Sequence, residues 1–306
     1  MLGEFVSSRH AAELVEAGHH QDQPLLALDP QVTRESYNRL PYLVQHRLHH
    51  LAEFELGEIL ALCRRLPREQ VQFRTAVIPG DADFDSSYER FAGELTLATV
   101  LEHFEELQAY ICVYNPERDA KFRPLLESIL AEIAAAIEHL DSPITWYSTY
   151  LFVSAHDAVT PYHMDREMNF LLQIRGEKRA MLWDPADDEI MSAAEKDKLL
   201  AYDGLRPAYK PSFEAKAMAF DLRPGLGVHH PFIAPHRVHT GANLSISLAF
   251  TFRTQQSDQR TRAHAFNYAL RRRGLSPQPV GRHQMLDRAK ALALQVARAR
   301  HAFHHH

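Results

Sequence analysis

Val159-Thr160-Pro161-Tyr162-His163-Met164-Asp165 carries a His-x-Asp pair near the middle of the chain. On a β-strand, residues i and i+2 point to the same face, so His163 and Asp165 can converge on one point. One imidazole and one carboxylate supply two metal ligands, and a third must come from elsewhere. Two histidines and one carboxylate on one face of an octahedron leave three positions open. That arrangement suits ferrous iron, which must take both a chelating substrate and oxygen. A bare His-x-Asp pair is weak evidence, since a salt-bridged surface pair has the same spelling. Its surroundings decide.

Working outward, residues from about 145 to 253 have the texture of strands. Tyr147–Ser154, Met168–Ile174, Lys178–Trp183, Ala217–Leu222, Gly227–Ile233 and Leu244–Arg253 are short runs rich in β-branched, aromatic or alternating residues. Arg175-Gly176, Asp184-Pro185, Arg223-Pro224-Gly225 and Thr240-Gly241 punctuate them as turns. Many short strands with such punctuation predict a sandwich or barrel, and residues 186–215 read as a helical or loop insert. The downstream block from Pro224-Gly225 through His229, His230, His236 and His239 offers four histidines as the third ligand. Pattern alone leaves that choice open.

The flanks read differently. Residues 1–144 are expected to be mostly helix and loop packing on the barrel. One helix is predicted from about 119 to 140, where Phe122, Leu125, Leu126, Ile129, Leu130, Ile133 and Ile137 share a face. A second is predicted from Ala52 to Arg65. Residues 256–306 read as helical and basic, with ten lysines and arginines against Asp258 and Asp287.

The residues Thr160-Pro161, His163, Asp165, Asn169-Phe170, Gln173-Ile174, Gly176, Lys178-Arg179 and Asp184-Pro185, followed by Pro224-Gly225 and Pro235-His236, resemble the core of the JmjC-type, cupin-like iron and 2-oxoglutarate oxygenases. The similarity includes the asparaginyl hydroxylase that acts on hypoxia-inducible factor and a group of bacterial cupin-like proteins. It covers roughly 145–253 well and the flanks in outline. It implies a mixed α and β chain built on a double-stranded β-helix, the cupin or jelly-roll barrel, with helices on either side. It further implies His163, Asp165 and His236 as catalytic ligands of Fe(II). Lys178 and Thr160 would hold the distal carboxylate of 2-oxoglutarate, and Asn169 would line the co-substrate site. The implied reaction hydroxylates an unactivated C–H with release of succinate and carbon dioxide. Two departures stand out: Leu226 replaces an acidic residue common after the Pro-Gly turn, and Ala249 replaces an asparagine of the hydroxylase. Tyr110 reads as a core tyrosine that could instead offer a hydroxyl to the co-substrate. His229 or His230 could contact substrate, and His239 is expected to be exposed.

Composition sets the remaining expectations. The net charge is −5 over 306 residues, with 45% apolar residues. Nothing there draws the whole molecule to nucleic acid or membrane. No apolar run is long enough to span a bilayer, the N-terminus lacks a signal-peptide layout, and two distant cysteines suit a reducing cytoplasm. Of 20 histidines, His19, His20, His46, His49 and His50 read as surface residues, and His304, His305 and His306 as a tag remnant. The basic C-terminal helices are expected to form a homodimer, as in the related hydroxylase. A small molecule or a peptide is the expected substrate. A metalloenzyme that does not use 2-oxoglutarate, or a non-catalytic regulator, is the alternative.

Overall fold

The computed structural model describes residues 24–75 and 95–303; of 299–303 it describes only the backbone. His19, His20 and His304–His306 lie outside the described residues. The strands are β1 (Leu26–Ala27), β2 (Tyr42–His46), β3 (Val71–Arg74), β4 (Tyr110–Tyr114), β5 (Ile144–Ser154), β6 (Val159–Met164), β7 (Met168–Arg175), β8 (Lys178–Leu182), β9 (Met218–Leu222), β10 (Leu226–His230), β11 (Pro235–Thr240) and β12 (Ser245–Thr254). The α-helices are α1 (Pro30–Ser36), α2 (Leu56–Arg65), α3 (Leu97–Glu102), α4 (Arg123–Ile137), α5 (Ala193–Leu200), α6 (Gln255–Arg271) and α7 (Gln284–Phe303).

Two antiparallel sheets form a double-stranded β-helix. The larger runs β1-β2-β10-β7-β12-β5-β4-β3 and the smaller β6-β11-β8-β9. β7 is buried from Met168 to Ile174. A strand flanked on both edges and covered on both faces needs an unbroken apolar run, and Met-Asn-Phe-Leu-Leu-Gln-Ile comes close to one. Alternation then divides its side chains. Phe170 and Leu172 join the main core with Ile59 and Leu62 of α2 and Leu126, Ile129 and Ile133 of α4. Leu171 instead joins a small interior cluster with Ala180, Leu182, Leu222, Val228, Val238 and Ala249. The barrel interior therefore holds few large side chains, which leaves room for a cavity.

Several expectations are corrected. The stretch before 144 is not only helix and loop: β1–β4 lie there and extend the larger sheet at both edges. These strands are two to five residues long, too short for period-2 alternation to declare itself. The helix expected from 119 to 140 is shorter, Arg123–Ile137, with Pro124 in its first turn where its missing N–H costs nothing. The helix expected from Ala52 starts as a separate 3-10 turn, Ala52–Phe54, and becomes α-helical only at Leu56. The strand expected over Gly227–Ile233 stops at His230, and after a turn at 231–234 a separate strand, β11, starts at Pro235. His46 is buried rather than a surface residue, its ring facing the Leu226 carbonyl. No helix among the described residues is long and apolar enough to cross a membrane.

The insert packs on the outside of the smaller sheet, where Trp183 Nε1 donates to the Phe213 carbonyl and Tyr162 meets Trp183 edge-on. Asp197 of α5 is fully buried and accepts from both His264 and Arg271 of α6, which ties the insert to the C-terminal helices.

Candidate metal centre and its cavity

His163 and His236 are cross-strand partners in the β6–β11 register. Their ring centroids are 4.1 Å apart. β6 ends at Met164, so Asp165 is not a strand residue as the i, i+2 argument assumed; it lies at the start of the turn into β7, and the carboxylate still reaches the two imidazoles. Asp165 Oδ1 is 3.9 Å from His163 Nε2, and Oδ2 is 3.9 Å from His236 Nε2. Those separations are too long for hydrogen bonds. An ion about 2.1 Å from each donor, held on one face of an octahedron, would draw them in to about 3 Å. Among the described residues these three form the one group of three or more His, Cys, Asp or Glu side chains able to share an ion, with donor atoms within 4.8 Å of one another.

The outer nitrogens complete the picture. His163 Nδ1–H donates to the Pro161 carbonyl at 2.9 Å, and His236 Nδ1–H to the Ala234 carbonyl at 3.1 Å. Each bond fixes the tautomer and turns the Nε2 lone pair inward, the usual orientation of a ligating histidine. Both rings are nearly inaccessible, at 4% and 5% exposure. Burial and the neighbouring His236 hold His163 well below the ordinary imidazole range, so it is neutral and able to ligate.

A cavity of about 270 Å³ opens on these ligands. Period-2 alternation builds its walls. Tyr110, Cys112 and Tyr114 come from β4, Tyr150 and Phe152 from β5, Asn169 and Leu171 from β7, and Ala249 and Thr251 from β12. Registers order them along the barrel axis. Asn169 lies level with Thr251 and His230, Leu171 with Ala249, and Gln173 with Ser247. On the smaller sheet His236 is level with Leu182, while Lys178 pairs with Thr240, about 13 Å further along. The metal ligands and Asn169 thus mark one end. Lys178, Ser247, Thr160 and Tyr110 mark the other, closed end.

Lys178 is 5% exposed, and its ammonium donates to Ser247 Oγ at 2.5 Å. Burial, with a contribution from Arg74, pushes it down to about 7. The Tyr110 hydroxyl is 3.3 Å from Thr160 Oγ1, so the expected core tyrosine is a wall of this pocket. Asn169 is buried with its Oδ1 unpartnered among the described residues, as are both ring nitrogens of His230. His230 lines the cavity against His236, while His229 faces outward between Tyr37, Tyr42 and Phe170. His239 falls on the opposite face of β11 from His236, half-buried. Ala249, where the hydroxylase carries an asparagine, contributes only a methyl group to the wall.

Sequence reasoning missed Arg74, Cys112, Glu167 and Arg206. Glu167, in the turn after Asp165, is pushed up to about 7 by burial and by Asp165. Arg206 of the insert donates to the Met164 carbonyl at 2.9 Å. The three charged ones have no spelling that distinguishes them from surface charges, and Cys112 none that distinguishes it from a core cysteine.

Among solved structures, the chain is similar to the ribosomal oxygenase YcfD from Escherichia coli. The X-ray structure shares 14% identity at a TM-score of 0.47, over 89% of this chain and 68% of that one. A complex of YcfD with cobalt and 2-oxoglutarate gives 14% and 0.45 over 90% and 68%, and one with cobalt and succinic acid 12% and 0.43 over 90% and 68%. No curated protein sequence matches the chain. A family model for the cupin-like domain matches residues 44–258, which takes in β3–β12 and both ends of the cavity, and the chain therefore belongs to the cupin-like domain family.

Proposed function

We propose that this protein is an Fe(II)- and 2-oxoglutarate-dependent oxygenase that hydroxylates an unactivated C–H of a small molecule or a protein side chain. One observation carries the reading: a His-Asp-His group and a buried lysine with two hydroxyls stand at opposite ends of one cavity. His163, Asp165 and His236 would hold the metal on one face. Bound there, ferrous iron with 2-oxoglutarate supplies the oxidation, in which substrate, oxygen and 2-oxoglutarate give hydroxylated product, succinate and carbon dioxide.

The chain's own residues do the rest. Lys178 places a fixed cation where a carboxylate can meet it, and Thr160 and Tyr110 add hydroxyl donors. The barrel walls exclude water around that pair, which strengthens it. Asn169 offers an unpartnered amide oxygen beside the metal end. Homodimerisation through the C-terminal helices belongs to the same reading. In its support, Met285, Leu292 and Val296 stand on one face of α7 and are 84%, 61% and 43% exposed. A cytoplasmic setting suits two buried cysteines that form no disulfide.

The test is anaerobic loading with Fe(II), then oxygen and 2-oxoglutarate, with succinate read against a panel of amino acids and peptides. Succinate that depends on Fe(II) and disappears in Lys178→Ala supports the reading. Oxygen consumption without succinate, unaffected by Lys178→Ala, would instead indicate a cupin-type metalloenzyme that does not use 2-oxoglutarate.

A further inference from the structure

Arg74 ends β3, the edge strand of the larger sheet, and is 2% exposed. A buried guanidinium costs several kcal/mol in lost hydration unless its surroundings return it. Two of its contacts converge on the closed end of the cavity. The guanidinium lies over the Tyr110 ring, 4.1 Å from the centroid, and Nη2 donates to the Val159 carbonyl. Tyr110 is the cross-strand partner of Arg74 in the β3–β4 register. Val159 directly precedes Thr160 and starts β6 of the other sheet. One planar group therefore supports the ring whose hydroxyl faces Thr160 and the backbone that carries Thr160. It also spans from the larger sheet to the smaller at that end of the barrel. A guanidinium can do both at once because its donors lie in its plane and leave its face free to stack.

We propose that Arg74 is a positioning residue that holds the Tyr110 and Thr160 hydroxyls 3.3 Å apart beside Lys178, so that the carboxylate seat stands ready before ligand arrives. The proposal rests on the oxygenase reading for the identity of the ligand. A preformed seat raises affinity by removing the ordering cost of binding, not by adding a contact. Arg74 thus acts through Tyr110 and Thr160 rather than by touching the ligand.

The experiment uses full-length protein loaded with Mn(II), which is redox-silent, and measures 2-oxoglutarate binding by calorimetry. Arg74→Met is expected to weaken 2-oxoglutarate about tenfold while Mn(II) affinity stays at the wild-type value. Arg74→Lys keeps the charge but loses the flat stacking face and the in-plane donors, so it should be weakened nearly as much. Lysine at full wild-type affinity would overturn the proposal, because charge alone would then suffice. Tyr110→Phe supplies a second arm: in that background Arg74→Met should cost less than in wild type, since the share of its effect that runs through the Tyr110 hydroxyl is already lost. Strictly additive losses would overturn it. If Arg74→Met fails to fold, the lysine variant and the Tyr110→Phe, Arg74→Lys pair carry the same two comparisons. Wild-type protein that takes Mn(II) but no 2-oxoglutarate would bring down the oxygenase reading and this inference with it. Normal binding that Arg74→Met leaves unchanged would bring down this inference alone.

Discussion

At the scale of single residues, the site separates into ligands that need lone pairs and a cation that needs a partner. Removing an imidazole removes a ligand outright. His163→Ala and His236→Ala are expected to weaken Mn(II) or Fe(II) binding by more than about 100-fold, because changes one shell further out already cost tens of fold. Metal titration with an added chelator as competitor reads this directly. Lys178 sets a pH dependence. Free, it is held near 7 by burial and by Arg74, with Cys112 opposing them. A bound carboxylate favours the ammonium form and raises that value. Above pH 7 the free lysine is mostly neutral and the complex protonated, so 2-oxoglutarate binding should take up close to one proton. Affinity should fall by up to about tenfold per pH unit and level off below pH 7. Calorimetry in two buffers of different ionisation enthalpy measures the uptake, and Lys178→Met should abolish it. The nature of these residues was legible beforehand. His163, Asp165 and Lys178 are chemically conspicuous, whereas Tyr110 and Arg74 look like any core tyrosine and any surface arginine until their neighbours are known.

At the scale of elements, turns determine whether strands deliver their residues in register. Gly176 makes the β7–β8 turn with φ +68°, and a Cβ there would overlap the Leu244 carbonyl oxygen. Gly176→Ala is therefore expected to destabilise the fold by about 2 kcal/mol or more, measured by urea unfolding. It should also weaken 2-oxoglutarate, because Lys178 begins the next strand two residues later. The strands β5, β7–β10 and β12 were readable because turn residues bracket them, whereas β11 was not separated from the strand before it. β3 and β4 were not readable, because Val71–Arg74 and Tyr110–Tyr114 are only four and five residues long, too short for periodicity to tell a strand from a helix turn. That gap explains why the closed end of the cavity was only half legible: two of its residues sit on strands that the pattern did not show.

At the scale of the whole molecule, stability and the metal end are joined. Asp197, His264 and Arg271 link α5 to α6. From α5 the Leu199 carbonyl accepts from Arg166, the residue after Asp165. Asp197→Ala leaves the buried partners uncompensated and should cost about 3 kcal/mol or more, seen in chemical denaturation. Metal should stabilise the native state in turn. At about 100 times its Kd it should add about 2.7 kcal/mol, so chelation should lower Tm by several degrees.

The chain by itself determined which chemistry was available. A His-x-Asp pair, a proline-flanked histidine some seventy residues later, a lysine beside a glycine turn and a series of short punctuated strands point to a metal-holding barrel, because local spacing and turn chemistry are written residue by residue. Tertiary structure decided which of four downstream histidines stands opposite His163, which face Tyr110 turns its hydroxyl to, and that an arginine on an edge strand lies over the Tyr110 ring. Those outcomes depend on register between strands distant in sequence. Register is set by which side chains can be buried together, a property of the packed sheets and not of any one segment.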